Sequence, residues 1–232
     1  ESLLEKGQQQ SIPSEKPDFE SEMGMLYTSG TTGNPKGVLL THHNILFMVA
    51  VGIQSLKLSS NDQTLSFLPW AHSFGQLAEV HLLIQSGYST GLVADVNEIV
   101  SDMSLVKPTV FFAVPRVYNR IFDLLNGQIS EKHQLIQNLF RAGLKHAKRE
   151  REGETLSFIE NLALTLARKI IFKKILDRFG GRLRLAVSGA SALSAEVAEF
   201  VNDIGIGVYE GYGLSENSAA LTMNLPGKRK FG

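Results

Sequence analysis

Tyr27-Thr28-Ser29-Gly30-Thr31-Thr32-Gly33-Asn34-Pro35-Lys36-Gly37-Val38 packs three glycines, four Ser/Thr hydroxyls and one lysine into twelve positions. Glycines let backbone N–H groups turn toward an anion, hydroxyls donate to its oxygens or ligate a hard cation, and the lysine adds a mobile charge. That combination is phosphate chemistry. A Walker A loop is excluded: counted from Gly30 the lysine falls at the right offset, but Pro35 stands where the second glycine belongs, and a strand follows where a helix should open. A solvent-exposed hairpin turn would need neither the lysine nor four hydroxyls.

Outward from the loop, 24–28 and 38–41 read as two short strands, and Thr41 is placed to cap a helix over 42–56. Ile45, Leu46, Met48, Val49 and Ile53 make that helix apolar nearly all round, which predicts burial. Strand and helix then alternate: strand 64–69, helix 73–86 closed by Gly87, strand 88–93, helix 95–106, strand 109–114, helix 115–129. A charged helical stretch fills 127–180, and strand, helix and strand return at 182–187, 195–203 and 207–211. The alternation predicts an α/β fold with a largely parallel sheet flanked by helices. Residues 1–22, with Pro13, Pro17 and a Gln8-Gln9-Gln10 run, read as a leading or linking segment, and 23–232 as one domain unit.

Three further stretches bear on chemistry. Tyr209-Glu210-Gly211-Tyr212-Gly213-Leu214-Ser215-Glu216 offers a flat aromatic, a backbone that a ligand can approach, a hydroxyl and a carboxylate within eight positions. Val187-Ser188-Gly189-Ala190-Ser191-Ala192-Leu193-Ser194 reads as a strand, a turn and a helix N-cap. Leu68-Pro69-Trp70-Ala71-His72-Ser73-Phe74 leads from a strand into a helix start; His72 is read as a pocket wall or helix cap and not as a base.

The loop at 27–38 is similar, almost letter for letter, to the phosphate loop of the adenylate-forming acyl-activating superfamily. The Gly211–Glu216 stretch resembles that superfamily's Gly-Tyr-Gly-Leu-Thr-Glu motif, with Ser215 in place of threonine. The resemblance implies that Thr28, Ser29, Gly30, Thr31, Thr32, Gly33 and Lys36 hold the phosphates of ATP, and that Ser188, Gly189, Glu210, Gly211, Tyr212 and Ser215 meet the nucleotide. It implies Lys36 and Glu216 as catalytic residues, Glu216 and Thr31 as Mg²⁺ ligands, and His72, Phe74 and Gly211 as walls of an acyl pocket. Ala190 and Ala192 depart from the family's Ser-Gly-Gly-Ala-Pro-Leu turn.

The insert at 127–180 resembles that of long-chain fatty acyl-CoA synthetases, which implies fatty acid, ATP and CoA as substrates. Ligases that load a carrier protein from an acyl-AMP, and a non-catalytic nucleotide-binding module, are the alternatives. The family's ribose-binding aspartate motif, hinge arginine and C-terminal lysine domain have no counterpart in the sequence. The expectation is therefore a central piece of a larger N-terminal domain, excised at Glu1 and inactive alone.

Composition bounds the rest. Apolar residues at 43% and charged residues at 20% exclude wholesale disorder. Lys plus Arg and Asp plus Glu are both 23, so no net field recruits nucleic acid, which is not expected as a partner. Without cysteine there are no disulfides or thiolate metal sites. No signal peptide and no apolar run of about 18 residues is visible, and a cytoplasmic setting is the default. Lys145, His146, Lys148, Arg149 and Arg151 offer a surface for peripheral membrane contact, but the interleaved Glu150, Glu152 and Glu154 favour a solvated face.

Overall fold

The computed structural model describes residues 16–29 and 33–231. Strands β1 (Glu22–Thr28) and β2 (Lys36–Thr41) form an antiparallel hairpin in which Thr28 pairs with Lys36 and Gly24 with Leu40. Helix α1 (His42–Leu56) starts in a capping box: Asn44 N–H donates to Thr41 Oγ1 (3.3 Å), and Thr41 N–H donates to Asn44 Oδ1 (2.9 Å). The uniformly apolar pattern predicted a buried helix, and the structure corrects that. Ile45, Val49 and Leu56 are buried, whereas Leu46, Phe47 and Val51 face outward, because nothing among the described residues covers the second face.

Next come β3 (Gln63–Ser66), a composite helix α2, and β4 (Ser89–Leu92), which pairs parallel with β3. Helix α2 runs through Ser73–Gly75, a π-helical Gln76–His81 and Leu82–Ser86. A turn at Val96–Glu98 opens α3 (Ile99–Val106). Strands β5 (Val110–Ala113), β6 (Leu185–Ser188) and β7 (Val208–Tyr212) are parallel neighbours, and β8 (Thr222–Met223) closes antiparallel on β7. Thr109 N–H donates to Gln63 O (2.8 Å), joining β3 to the start of β5. Every residue of β5 and β6 is buried, as expected of parallel strands covered on both faces.

The strand expected over 64–69 is shorter than its apolar run. Beyond Ser66 the N–H groups of Phe67 and Leu68 donate to the Glu79 carboxylate instead of a neighbouring strand, so the ladder ends there. At the opposite end of the sheet Asp62 accepts from Thr109 Oγ1 (2.7 Å) and from Arg184 Nε and Nη2 (2.9 and 2.8 Å). One carboxylate thus ties the starts of β3, β5 and β6.

The helical insert starts in the last turn of α4 (Pro115–Ser130) and continues through α5 (Gln134–Arg151) and α6, which runs through Phe158–Ala167, a π-helical Arg168–Phe172 and Lys173–Arg178. It packs with α7 (Ala195–Asp203) through Phe140, which meets Phe172 and Phe200 edge-on at 6.0 and 6.1 Å. Three cations of the basic run on α5 are paired with carboxylates: Lys148 with Glu199 (2.7 Å), Arg149 with Glu154 and Glu160, and Arg151 with Asp203 (2.8 Å). Among the described residues no helix is long and apolar enough to cross a membrane.

Candidate functional site

The carboxyl ends of parallel strands are where open α/β sheets present ligand crevices. Here the ends of β3, β6 and β7 bring the sequence constellations together. The phosphate-type loop closes the β1–β2 hairpin: Thr28 Oγ1 lies 3.5 Å from Lys36 O, Gly33 takes φ +90°, and Ser29 and Lys36 are exposed. Gly30, Thr31 and Thr32 lie outside the described residues, so their expected roles stand on the sequence alone. Strand β2 packs beside the 3-10 turn Ser215–Asn217, which puts the loop and the second constellation on one side of the molecule.

Tyr212 ends β7 and is 59% exposed. Beyond it the chain folds back: Leu221 N–H donates to Tyr212 O (2.9 Å) and Ala219 N–H to Leu214 O (3.0 Å). Gly213 is required by this fold-back, since a Cβ there would stand 1.9 Å from Ala219 O. Ser215 Oγ lies 3.3 Å from Ser73 Oγ, and Glu216 is exposed on the same turn.

Ser188 ends β6 with its hydroxyl buried and without a hydrogen-bond partner. The strand end is held from beneath by Tyr118, whose buried phenol donates to Val187 O (3.0 Å) and is pushed to a higher pKa by that burial. Gly189 leaves room for the Phe74 ring, which a Cβ would meet at 3.0 Å. Ala190 takes φ +70°, in the left-handed region that favours glycine, which accounts for the glycine usual in the similar family turn. Glu210 Oε1 accepts from Leu193 N–H (3.1 Å), tying β7 to the segment after that turn.

Two spaces meet at this point. An apolar cavity of about 240 Å³ lies beneath Gly211, between α1, α2 and the strand ends, walled by Met48, Gly52, Phe74, Leu82 and Val187 among others. A more polar cleft of about 640 Å³ lies above it, bordered by Ser191, Glu210, Tyr212, Asn224 and Lys230. They share Ala190, Gly211, Gly213, Thr222 and Met223. Of the expected pocket walls, Phe74 and Gly211 line the cavity. His72 does not: it holds the N-cap position of α2 without a side-chain cap bond, and its ring is exposed.

The donor set suits a nucleotide triphosphate and a hard cation. Lys36 is an exposed cation, Tyr212 is exposed, and the Ser188 hydroxyl is an uncommitted donor beside Gly189. Among the described residues no group of three or more His, Asp or Glu side chains could hold a metal ion. Glu216 is a single exposed carboxylate.

The sequence reading passed over Glu79. It lies among apolar Leu77, Ala78, Val80 and Leu82 on α2, and a lone carboxylate in such a stripe is the signal that could have found it.

The parallel strand ends carry an exposed tyrosine, a buried unpartnered hydroxyl and an apolar cavity, and the glycine- and hydroxyl-rich loop of the β1–β2 hairpin lies on the same side. The model of the AMP-binding enzyme family matches residues 1–232, and the chain belongs to that family. It is 38% identical over 210 residues to the peroxisomal long chain acyl-CoA synthetase 6 of Arabidopsis thaliana, covering 89% of this chain and 28% of the relative. It is 35% identical over 219 residues to the human long-chain-fatty-acid–CoA ligase 1, covering 91% of this chain and 30% of the relative. The chain thus spans less than a third of those relatives' lengths. In fold it is similar to apo MatB from Rhodopseudomonas palustris, with a TM-score of 0.64 at 20% identity over 95% of this chain and 34% of that one. The adenylation domain of a carboxylate reductase from Mycobacterium chelonae gives 0.65 at 24% identity over 91% and 29%.

Proposed function

We propose that this chain is the nucleotide- and acyl-binding part of an enzyme that activates a long-chain fatty acid with ATP and transfers the acyl group to CoA. The observation that carries this reading is the meeting, at Gly211, of an apolar cavity and a polar cleft, one fit for an acyl chain and the other for a nucleotide. The printed names of the two curated relatives support the acid and acceptor. Residues 1–22 are then a leading segment, and 23–232 part of the AMP-binding domain, with 127–180 as its helical insert.

In this reading Thr28, Ser29, Gly30, Thr31, Thr32, Gly33 and Lys36 cradle the phosphates, and Tyr212 lies against adenine. Ser188, Gly189, Glu210 and Ser215 border the nucleotide, while Phe74 and Gly211 wall the acyl chain. The fatty-acid carboxylate attacks the α-phosphorus, a P–O bond to pyrophosphate breaks, and acyl-AMP results. The CoA thiol then displaces AMP at the acyl carbon. Lys36 supplies charge to the phosphates, and Mg²⁺ on Glu216 and Thr31 would neutralise charge on them, so catalysis is mainly positioning and electrostatics.

The test is acid-dependent exchange of pyrophosphate into ATP by the full-length protein that carries this sequence. Palmitate should give a higher kcat/KM than acetate. Exchange favouring acetate or an aryl acid would overturn the substrate class, and ATP binding without exchange for any acid would overturn the enzymatic reading.

A further inference from the structure

Glu79 is a buried carboxylate outside the motifs that accepts four hydrogen bonds. It sits on the π-helical part of α2 and is 1% exposed. Its Oε1 accepts from Phe67 N–H (3.1 Å) and Leu68 N–H (3.0 Å), and its Oε2 from Ser66 Oγ (2.5 Å) and Trp70 Nε1 (3.1 Å). All four partners are neutral donors. A buried carboxylate is expensive to desolvate, and an apolar side chain would fill the same space without that cost, so its structural effect is to fix the groups that point at it. Those groups are the last residue of β3 and the loop that follows.

That loop leads into the helix start that faces the site. His72 N–H donates to Pro69 O (3.0 Å), and Gln76 N–H to His72 O (2.8 Å). The helix start is pressed so close that a Cβ on Gly75 would stand 2.4 Å from Pro69 O. From this start Ser73 reaches Ser215, and Phe74 fills the space left by Gly189. Behind Glu79, Tyr88 Oη donates to the neighbouring Ala78 carbonyl (2.8 Å), holding α2 from the other side. A displacement of loop 67–72 is therefore transmitted to the Phe74 wall of the apolar cavity.

We propose that Glu79 is a positioning residue for the acyl pocket, setting the depth of Phe74 through the loop 67–72. The proposal rests on the acyl-activating reading above. It makes a distinction that a merely structural role does not: disturbing Glu79 alters recognition of the acid more than recognition of ATP.

The experiment measures KM for palmitate, octanoate and ATP, together with Tm, in the full-length protein. Glu79→Gln keeps the shape but turns an NH₂ toward two of the four donors. It should raise the palmitate KM about tenfold, the scale of one buried donor left unpaired, and raise the ATP KM by no more than about fivefold, the effect expected if the Ser73–Ser215 contact is lost as well. The ratio of palmitate to octanoate kcat/KM should change in the same variant. Trp70→Phe removes a single donor at the exposed side of the loop and guards against a Glu79→Gln protein that does not fold. It should shift the acyl KM in the same direction by about threefold, with Tm close to wild type. Equal changes in the ATP and acyl KM, or an unchanged acyl KM in whichever variants fold, would overturn the role given to Glu79. A wild-type protein that binds ATP but shows no acid-dependent exchange would instead overturn the functional reading on which it rests.

Discussion

Ser73 Oγ and Ser215 Oγ lie 3.3 Å apart across 142 positions of sequence, joining the start of α2 to the turn that carries Glu216. The contact ties the helix start that carries Phe74, a wall of the apolar cavity, to the turn after Leu214, which borders the polar cleft. Ser73→Ala removes one part-buried hydrogen bond and frees the Ser215 hydroxyl to rotate. An ATP KM raised about fivefold is expected, matching a loss of about 1 kcal/mol. Steady-state kinetics at saturating acid measure it, and an unchanged KM would show that the pair does not hold Ser215.

Glu216 and Lys36 are expected to differ in severity. Lys36→Ala removes one mobile charge among several donors, and a loss of about tenfold in kcat/KM for ATP is expected. Glu216→Ala removes a direct ligand of the proposed Mg²⁺, and should cost about a hundredfold while moving the Mg²⁺ concentration for half-maximal exchange upward. A Mg²⁺ titration that superimposes on wild type would reassign the carboxylate.

Gly213 meets backbone and not a flexible side chain: an added methyl would stand 1.9 Å from Ala219 O. The turn has to open to admit it, which places Gly213→Ala in the range of about 1–3 kcal/mol destabilised. Denaturant unfolding reads this directly, and wild-type stability in the variant would mean that the fold-back at Ala219 is not as described.

Ala190 gives the opposite expectation. Its φ of +70° costs an L-residue about 1–2 kcal/mol, while glycine adopts the same backbone freely. Part of that gain is returned as the unfolded chain becomes more flexible, so Ala190→Gly should stabilise by roughly 0.5–1 kcal/mol. A destabilised variant in the same unfolding assay would argue against the left-handed turn.

Asp62 provides the pH-dependent test. Burial alone would raise its pKa, but hydrogen bonds from Arg184, Thr109 and Ser59, with the Arg184 charge, outweigh that and hold it below the usual 3.8. A depressed folded pKa contributes stability that is full above the unfolded value and is lost as the pH falls through the folded one. Asp62→Asn should therefore cost about 2 kcal/mol at neutral pH. The gap from wild type should close as the pH falls from 3.8 downward, and a gap unchanged at pH 2 would remove Asp62 from this role.

The two strands flanking the glycine-rich loop, the alternation of strand and helix and the parallel pairing were legible in the sequence because each rests on local chemistry. Glycines mark a turn, Thr41 marks a helix start, and the apolar run at 109–114 marks a strand. The exposure of α1 was not legible, since an apolar face does not announce whether anything lies against it. Nor was the early end of β3, because Phe67 and Leu68 suit a strand by type and are diverted only by a carboxylate twelve and eleven positions away. Tertiary structure alone decided that Ser73 meets Ser215, that Phe74 fills the space left by Gly189, and that cavity and cleft share Gly211. Those relations depend on where separate strands end in space, and sequence separation carries no information about that distance.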